Sequence, residues 1–244
     1  MNNTNPHGPW MDFRLKKEMM DHLRNAIDNS PLRPDIDATN TLAGNISKSK
    51  FIEDKDNLFY ESVLNGVSEH MYYKDWSNYH DVHIAKTEPN PKFKIKEMWV
   101  NYQKQHEFNP PHDHIGMFSF VIFMKIPTHW KEQHALPMSA NANSAVASDF
   151  AFLLGQGQTV TPIFIPLSPE DEGRMLFFPS WVWHQVFPFY GTKEERITIS
   201  GNIEMQQEEE EKGERERRRC EIQLEKTEKD ARALKMMLKK LQTT

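Results

Sequence analysis

The sequence is short of several things, and each absence narrows what the chain can be. It has a single cysteine, Cys220, so no intrachain disulfide can brace it, and such usage suits a reducing cytosol. No stretch approaches 18 uninterrupted apolar residues, so no membrane-spanning helix is expected. The N-terminus, MNNTNPHGPW, lacks a basic segment followed by an apolar one and does not read as a secretion signal. A cytoplasmic protein is the expectation. Positive charge is also in deficit: 30 Lys and Arg face 35 Asp and Glu, the net charge is -5 and the pI is near 6.1. A nucleic-acid binder usually carries a basic stripe, and none crosses the body of this chain. Nucleic acid is therefore not expected as the primary partner, and neither is a membrane.

What is present is enough apolar material, 38% hydrophobic and 11% aromatic over 244 residues, for one good-sized core. Three regions separate by composition. Residues 1–80 are mixed and partly helical. Met11, Leu15, Met19, His22, Leu23 and Ile27 fall at steps of three and four, which predicts a helix over Met11–Asp28. Pro31 and Pro34 would stop it. A second helix is predicted over about 57–71 from Leu58, Val63, Val67 and Met71.

Residues 81–203 change character. Apolar runs become short, aromatic and β-branched, and Pro, Gly, Asn and Asp separate them. Strands are predicted at Val82–Lys86, Ile95–Gln103, Met117–Lys125, Phe150–Leu154, Val160–Pro166, Arg174–Phe178, Gln185–Phe189 and Arg196–Ile203. Many short strands at this spacing predict a sandwich or barrel. Met117–Lys125 is apolar at almost every position, as a strand buried on both faces would be. Residues 135–149 read as a loop over one end of the barrel.

Residues 204–244 lose their aromatics and become a dense mixture of Glu, Lys and Arg. Leu224, Thr227, Ala231, Leu234, Leu238 and Leu241 follow a heptad seam, but only its last part is apolar. A solvated single helix and self-association into a short coiled coil stand equally open.

The most specific segment is Asn109-Pro-Pro-His-Asp-His-Ile-Gly116. In an extended chain side chains alternate, so His112 and His114 share a side and Asp113 takes the other. Two imidazoles so placed can meet one metal ion. Imidazole suits iron, zinc, copper and nickel alike, so the pair does not identify the metal. A third ligand is expected from a distant strand, and His184, after Phe177-Phe-Pro-Ser180 and two tryptophans, is the candidate. Arg196, Thr198 and Ser200 alternate on one strand face. A guanidinium with a hydroxyl beside it anchors an anionic ligand well. The other reading of Arg196 is a salt bridge to Glu194 or Glu195.

The ordered set Trp99-Val-Asn101, His112-x-His114, Phe177-Phe-Pro-Ser-x-x-x-His184 and Arg196-x-Thr-x-Ser-x-Asn202 resembles the 2-oxoglutarate/Fe(II) oxygenases of bacteria and their phages, relatives of prolyl hydroxylases. Leu42-Ala-Gly-Asn-Ile46 is similar to a segment upstream of the barrel in that family. The resemblance spans roughly residues 40–203 and leaves out the tail.

It implies a mainly β double-stranded β-helix, a jelly-roll or cupin-like barrel, with N-terminal helices and a charged C-terminal helix. It implies a metal site of His112, His114 and His184, with Arg196 holding the far carboxylate of 2-oxoglutarate, Thr198 assisting and Asn101 on a neighbouring strand. Fe(II), 2-oxoglutarate and O2 would be the cofactors, with ascorbate as reductant, and the reaction would hydroxylate a small molecule or protein side chain, releasing succinate and CO2. One departure stands out. The wider superfamily has Asp or Glu as second ligand where this chain has His114, and Asp113 is the alternative there. Prolyl hydroxylases commonly place Lys where Arg196 stands, which weakens the analogy to their substrate. Trp181, Trp183, Phe118 and the 135–149 loop are candidates for a substrate mouth, and His106 for a supporting role. Two further readings compete: a cupin-like module that binds metal without 2-oxoglutarate turnover, and a three-histidine dioxygenase that cleaves its own substrate.

Overall fold

The computed structural model describes residues 8–29, 43–74, 90–156 and 158–206. The predicted strand Val82–Lys86, the heptad tail from Gln207 onward, Cys220, His80 and His83 lie outside the described residues.

Among the described residues, ten strands form two antiparallel sheets. The larger contains β1 (Met11–Arg14), β2 (Ser49–Phe51), β3 (Phe93–Gln103), β5 (Phe118–Lys125), β8 (Arg174–Pro179) and β10 (Arg196–Met205), in the order β1-β8-β5-β10-β3-β2. The smaller contains β4 (Asn109–His112), β6 (Phe150–Gln156), β7 (Thr159–Ile165) and β9 (Trp183–Val186), in the order β4-β9-β6-β7. The chain passes repeatedly from one sheet to the other, as the double-stranded β-helix requires.

The continuous apolar stretch of β5 has the predicted cause. Phe118 to Met124 are all buried, because β5 lies inside its sheet between β8 and β10. All but Ser119 are apolar, and burying such side chains at about 1.5–3 kcal/mol each makes this strand the centre of the core. Helix α1 (Lys17–Asn29) adds Met20 and Leu23 to the same cluster, and α2 (Asn65–Tyr73) adds Val67, Met71 and Tyr72. Tyr72 meets Phe93 of β3 edge-on at 5.9 Å.

The structure departs from the sequence expectation at several elements. Met11–Arg14 is not the start of α1 but an edge strand paired with β8, Met11 opposite Phe177 and Arg14 opposite Arg174. An ion pair takes it out of the helix: Arg174 grips Asp12 through Nε and Nη2 at 2.9 and 2.6 Å. The helix predicted over 57–71 forms, running from Leu58 through a wider turn at Tyr60–Leu64 into α2, after a 3-10 turn at Lys55–Asn57. Asp54 satisfies the start of this helix, accepting the N–H groups of Phe59 and Tyr60 at 3.0 and 2.8 Å. The strand predicted at Gln185–Phe189 begins two residues earlier, at Trp183. Strands β2 and β4 and the short helix α3 (Trp130–His134) escape the sequence reading, since pieces of three to five residues carry almost no periodicity.

Candidate metal centre

His112 ends β4 and His184 lies on β9, directly opposite in the register of the smaller sheet. His114 lies two residues past the end of β4, where its backbone N–H donates to the Ser180 carbonyl at 2.8 Å. One sheet ladder and one turn contact thus bring three distant imidazoles together. Ring centroids are 4.3 Å apart for His112–His184, and 5.1 Å for both His112–His114 and His114–His184. One ring nitrogen from each falls within 4.8 Å of the others.

The protonation pattern of two rings follows from their partners. His112 Nδ1 lies 2.7 Å from the Pro110 carbonyl and His184 Nδ1 3.0 Å from that of Val182. A carbonyl only accepts, so Nδ1 carries the hydrogen in both rings and the Nε2 lone pair is left for a ligand role. This is how proteins commonly orient metal-binding imidazoles. Burial lowers the pKa of all three rings. His114 falls to about 4, through burial first and His112 second. His184 is pushed well below the ordinary histidine value by burial, then by the neighbouring His112 and His114. His112 moves the same way for the first of these reasons. All three rings are neutral at pH 7, the form that binds metal. Asp113 reaches the cavity rim but is exposed and does not belong to the nitrogen cluster.

Around the histidines opens a cavity of ≈ 150 Å³. Its wall in the larger sheet is a ladder of paired residues from β10 and β3: Arg196 opposite Gln103, Thr198 opposite Asn101, Ser200 opposite Trp99 and Asn202 opposite Glu97. Strand alternation sets the pattern, as expected from Arg196, Thr198 and Ser200 alone. Asn101 lies on the neighbouring strand, where its Oδ1 accepts from Ser49 Oγ at 2.9 Å.

Arg196 is completely buried. Its Nη2 donates to the carbonyl and hydroxyl of Ser148 at 2.8 and 2.5 Å, and Nη1 makes a long contact of 3.4 Å to Gln103 Oε1. The ring of Phe189 lies 5.1 Å from the guanidinium. The salt bridge to Glu194 or Glu195 does not form among the described residues: Glu194 is taken by Lys125 at 2.5 Å. Arg196 Nε is buried without a partner. Burial lowers the Arg196 pKa to about 10, against the opposing pull of Asp149, so it remains a cation at pH 7. Trp99 Nε1 and Asn109 Oδ1, on residues that also line the cavity, are likewise buried and unpartnered. Buried polar atoms normally find partners, so the unpartnered Arg196 Nε–H leaves one donor for a ligand.

Asn101, His112, His114, His184, Arg196 and Thr198 all line this one cavity. The candidate mouth residues do not. Phe118 is fully buried in the core, Trp181 packs against that core and Trp183 is half exposed, and none of the three faces the cavity. The aromatic lining is Trp99, Phe120, Phe123, Phe150 and Phe178. His106 packs on Tyr190 at 5.1 Å and is not part of the cavity wall. Ala43 and Ile46 line the cavity, and Asn45 bridges to Phe108, so the upstream motif closes one side. Gly44 is needed there, because a Cβ would come within 1.8 Å of Asn109 Oδ1 and 2.5 Å of the Phe108 carbonyl.

Sequence reasoning missed the supports. Ser180 and Ser119 share a hydrogen bond of 2.9 Å, Ser119 donates to Asn202 at 2.8 Å, and Asn202 donates to Glu97 at 2.9 Å. That chain ties the turn holding His114 to strands β5, β10 and β3. Ser180 and Asn202 stand in the recognised motifs, but only the fold says what they bind. Ser148 and Asp149 sit in a segment that reads as loop.

Residues 97–202 match the model of the family described as "Putative 2OG-Fe(II) oxygenase". No curated protein matches the chain. Among solved structures, the chain is similar to a prolyl-4-hydroxylase from Pseudomonas putida at 13% identity and a TM-score of 0.44, over 82% of this chain and 95% of that one. It is similar to a prolyl hydroxylase from Trichoplax adhaerens, in complex with a hypoxia inducible factor peptide fragment, at 12% identity and a TM-score of 0.44, over 84% and 86%. A third is an oxidoreductase of the 2OG-Fe(II) oxygenase family from Burkholderia pseudomallei, at 11% identity and a TM-score of 0.42, over 80% and 84%. The segment that carries the three histidines, Arg196, Thr198 and Asn101 is thus a match to the 2OG-Fe(II) oxygenase family.

Proposed function

We propose that the chain is an Fe(II)- and 2-oxoglutarate-dependent dioxygenase that hydroxylates a protein side chain or small molecule and releases succinate and CO2. One observation carries the reading: three neutral imidazoles with converging nitrogens share a cavity with a buried, unpaired guanidinium N–H. Iron, 2-oxoglutarate and O2 would together supply the oxidising chemistry, with ascorbate keeping the metal reduced.

In this reading His112, His114 and His184 hold the metal, and the Nδ1 contacts to Pro110 and Val182 keep two of the rings aimed. Arg196 takes the far carboxylate of 2-oxoglutarate through its free Nε–H, with Thr198 and Asn101 beside it. Charge-assisted hydrogen bonds in a buried site are the strong ones, and burial here raises their value. The rings of Phe123, Phe150 and Phe178 give the site an apolar side.

The test is succinate formation by purified protein with Fe(II), 2-oxoglutarate, ascorbate and O2. Slow turnover without added substrate is expected, and it should vanish in His184→Ala and Arg196→Ala. Unchanged succinate in both variants would overturn the reading. A donor set of three histidines and no carboxylate also suits a dioxygenase acting directly on its own substrate, or a metal-binding module. Wild-type protein that binds metal but not 2-oxoglutarate would favour those alternatives.

A further inference from the structure

Beside Arg196 lies a small buried unit that the catalytic reading does not use. Ser148 and Asp149 are both wholly buried at the end of the 135–149 segment. The Ser148 backbone sits at φ +76°, in the left-handed region that a serine rarely occupies. It is held there from several sides. Ser148 N–H donates to the Pro188 carbonyl at 2.9 Å, Asp149 N–H to that of Val146 at 3.1 Å, and Phe187 N–H to that of Asp149 at 2.9 Å. The Ser148 hydroxyl also meets Thr128 Oγ1 at 3.2 Å. Asp149 Oδ1 accepts from His134 Nε2 at 2.9 Å, and α3, which carries His134, is pinned by Gln133 to both polar backbone atoms of Tyr190.

Two features of this unit bear on Arg196. Ser148 takes two donors on Nη2, so the guanidinium cannot swing. Asp149, whose own pKa burial raises while His134 and Arg196 pull it down, favours the Arg196 cation through space, yet its Oδ2 makes no hydrogen bond, and neither does Arg196 Nε. A carboxylate that bonded the guanidinium directly would consume the donors a ligand needs. Here the carboxyl leaves the Nε donor free.

We propose that Ser148 and Asp149, braced by His134, form a positioning unit that fixes Arg196 for the far carboxylate and so sets the preference for dicarboxylic over monocarboxylic 2-oxo acids. This rests on the 2-oxoglutarate reading of the cavity. Neither residue touches the ligand. Ser148 acts by orienting the guanidinium, Asp149 by favouring the buried cation through space without taking its Nε donor.

The test compares dissociation constants of 2-oxoglutarate and 2-oxobutyrate, which lacks the far carboxylate, by anaerobic calorimetry on the Fe(II)-loaded full chain. The variants are Ser148→Gly, which accepts the positive φ while losing the hydroxyl, and Asp149→Asn, which keeps the acceptor for His134 while losing the charge. The expected result is a wild-type preference for 2-oxoglutarate that narrows by about tenfold in each variant, with 2-oxobutyrate binding unchanged. Unchanged 2-oxobutyrate binding also shows that the variants are folded. An unaltered preference overturns the positioning role, and so does equal weakening of both acids, which is what general loosening would produce. Wild-type protein that binds neither acid overturns the oxygenase reading itself, and this inference with it.

Discussion

At the scale of single residues, the site separates ligands from bystanders because every group has a distinct environment. His184 is nearly inaccessible, stacked on Phe150 at 5.7 Å and edge-on to Phe178 at 4.9 Å. His184→Ala is expected to weaken metal binding by at least about 100-fold, since outer partners of a ligand alone are worth 10- to 100-fold. The absorption of Co(II) titrated anaerobically into the protein measures it. Asp113 is exposed and outside the nitrogen cluster, so Asp113→Ala should leave the same Co(II) titration unchanged within about twofold, a difference of roughly 0.4 kcal/mol. A large loss would restore Asp113 as second ligand. Arg196→Ala should raise the dissociation constant of 2-oxoglutarate by roughly 10- to 150-fold, from the 1.5–3 kcal/mol of a charge-assisted hydrogen bond, and leave Co(II) binding intact. Loss of both would make Arg196 a structural cation instead.

At the scale of elements, β10 organises the molecule. It pairs with β3 on one side and β5 on the other, and places Arg196, Thr198, Ser200 and Asn202 on the cavity wall. Gly201, between the last two, is set by packing. A Cβ there would lie 2.6 Å from the Phe120 ring and 2.8 Å from the Glu97 carbonyl, and a backbone carbonyl in a central ladder cannot retreat cheaply. Gly201→Ala is therefore expected to cost about 1–3 kcal/mol of stability, the usual result of overpacking. Thermal unfolding should report a Tm lower by roughly 2–12 °C, at 2–4 °C per kcal/mol for a chain of this size. An unchanged Tm would mean that the strand accommodates the methyl group. The edge strand β1 shows tertiary contacts overriding a local pattern. Trp10 stacks on Phe152 at 4.3 Å just before it, and the Asp12–Arg174 pair fastens it. Met11 therefore lies in a strand, although its spacing to Leu15 is helical.

For the molecule as a whole, an occupied site would also stabilise the fold. A ligand that binds only the folded state at a hundred times its dissociation constant adds about 2.7 kcal/mol. Saturating Co(II) should therefore raise Tm by roughly 5–11 °C, and a chelator should reverse it. No shift would count against a metal site in the folded protein. No described helix is long and apolar enough to cross a membrane.

The class of fold and six residues of the cavity wall were legible in the amino-acid order alone. Two signals are local: short β-branched runs between turns, and alternation that places His112 with His114 and Arg196 with Thr198 on one side of a strand; Asn101 comes from the family resemblance and His184 from its motif. The order of motifs was legible too, and residues 97–202 match the family that order resembles. The assembly of these parts depends on long-range pairing. Only the β4–β9 register puts His184 opposite His112, and only the turn at Ser180 brings His114 to them. Which aromatic rings face the cavity was equally illegible, since Trp181, Trp183 and Phe118 sit beside the motifs in sequence yet face elsewhere. Ser148 and Asp149 lie about fifty residues before Arg196 and have no periodicity to mark them. Their role exists only as a contact between a loop and a strand, and such contacts are settled by packing, which a single sequence does not display.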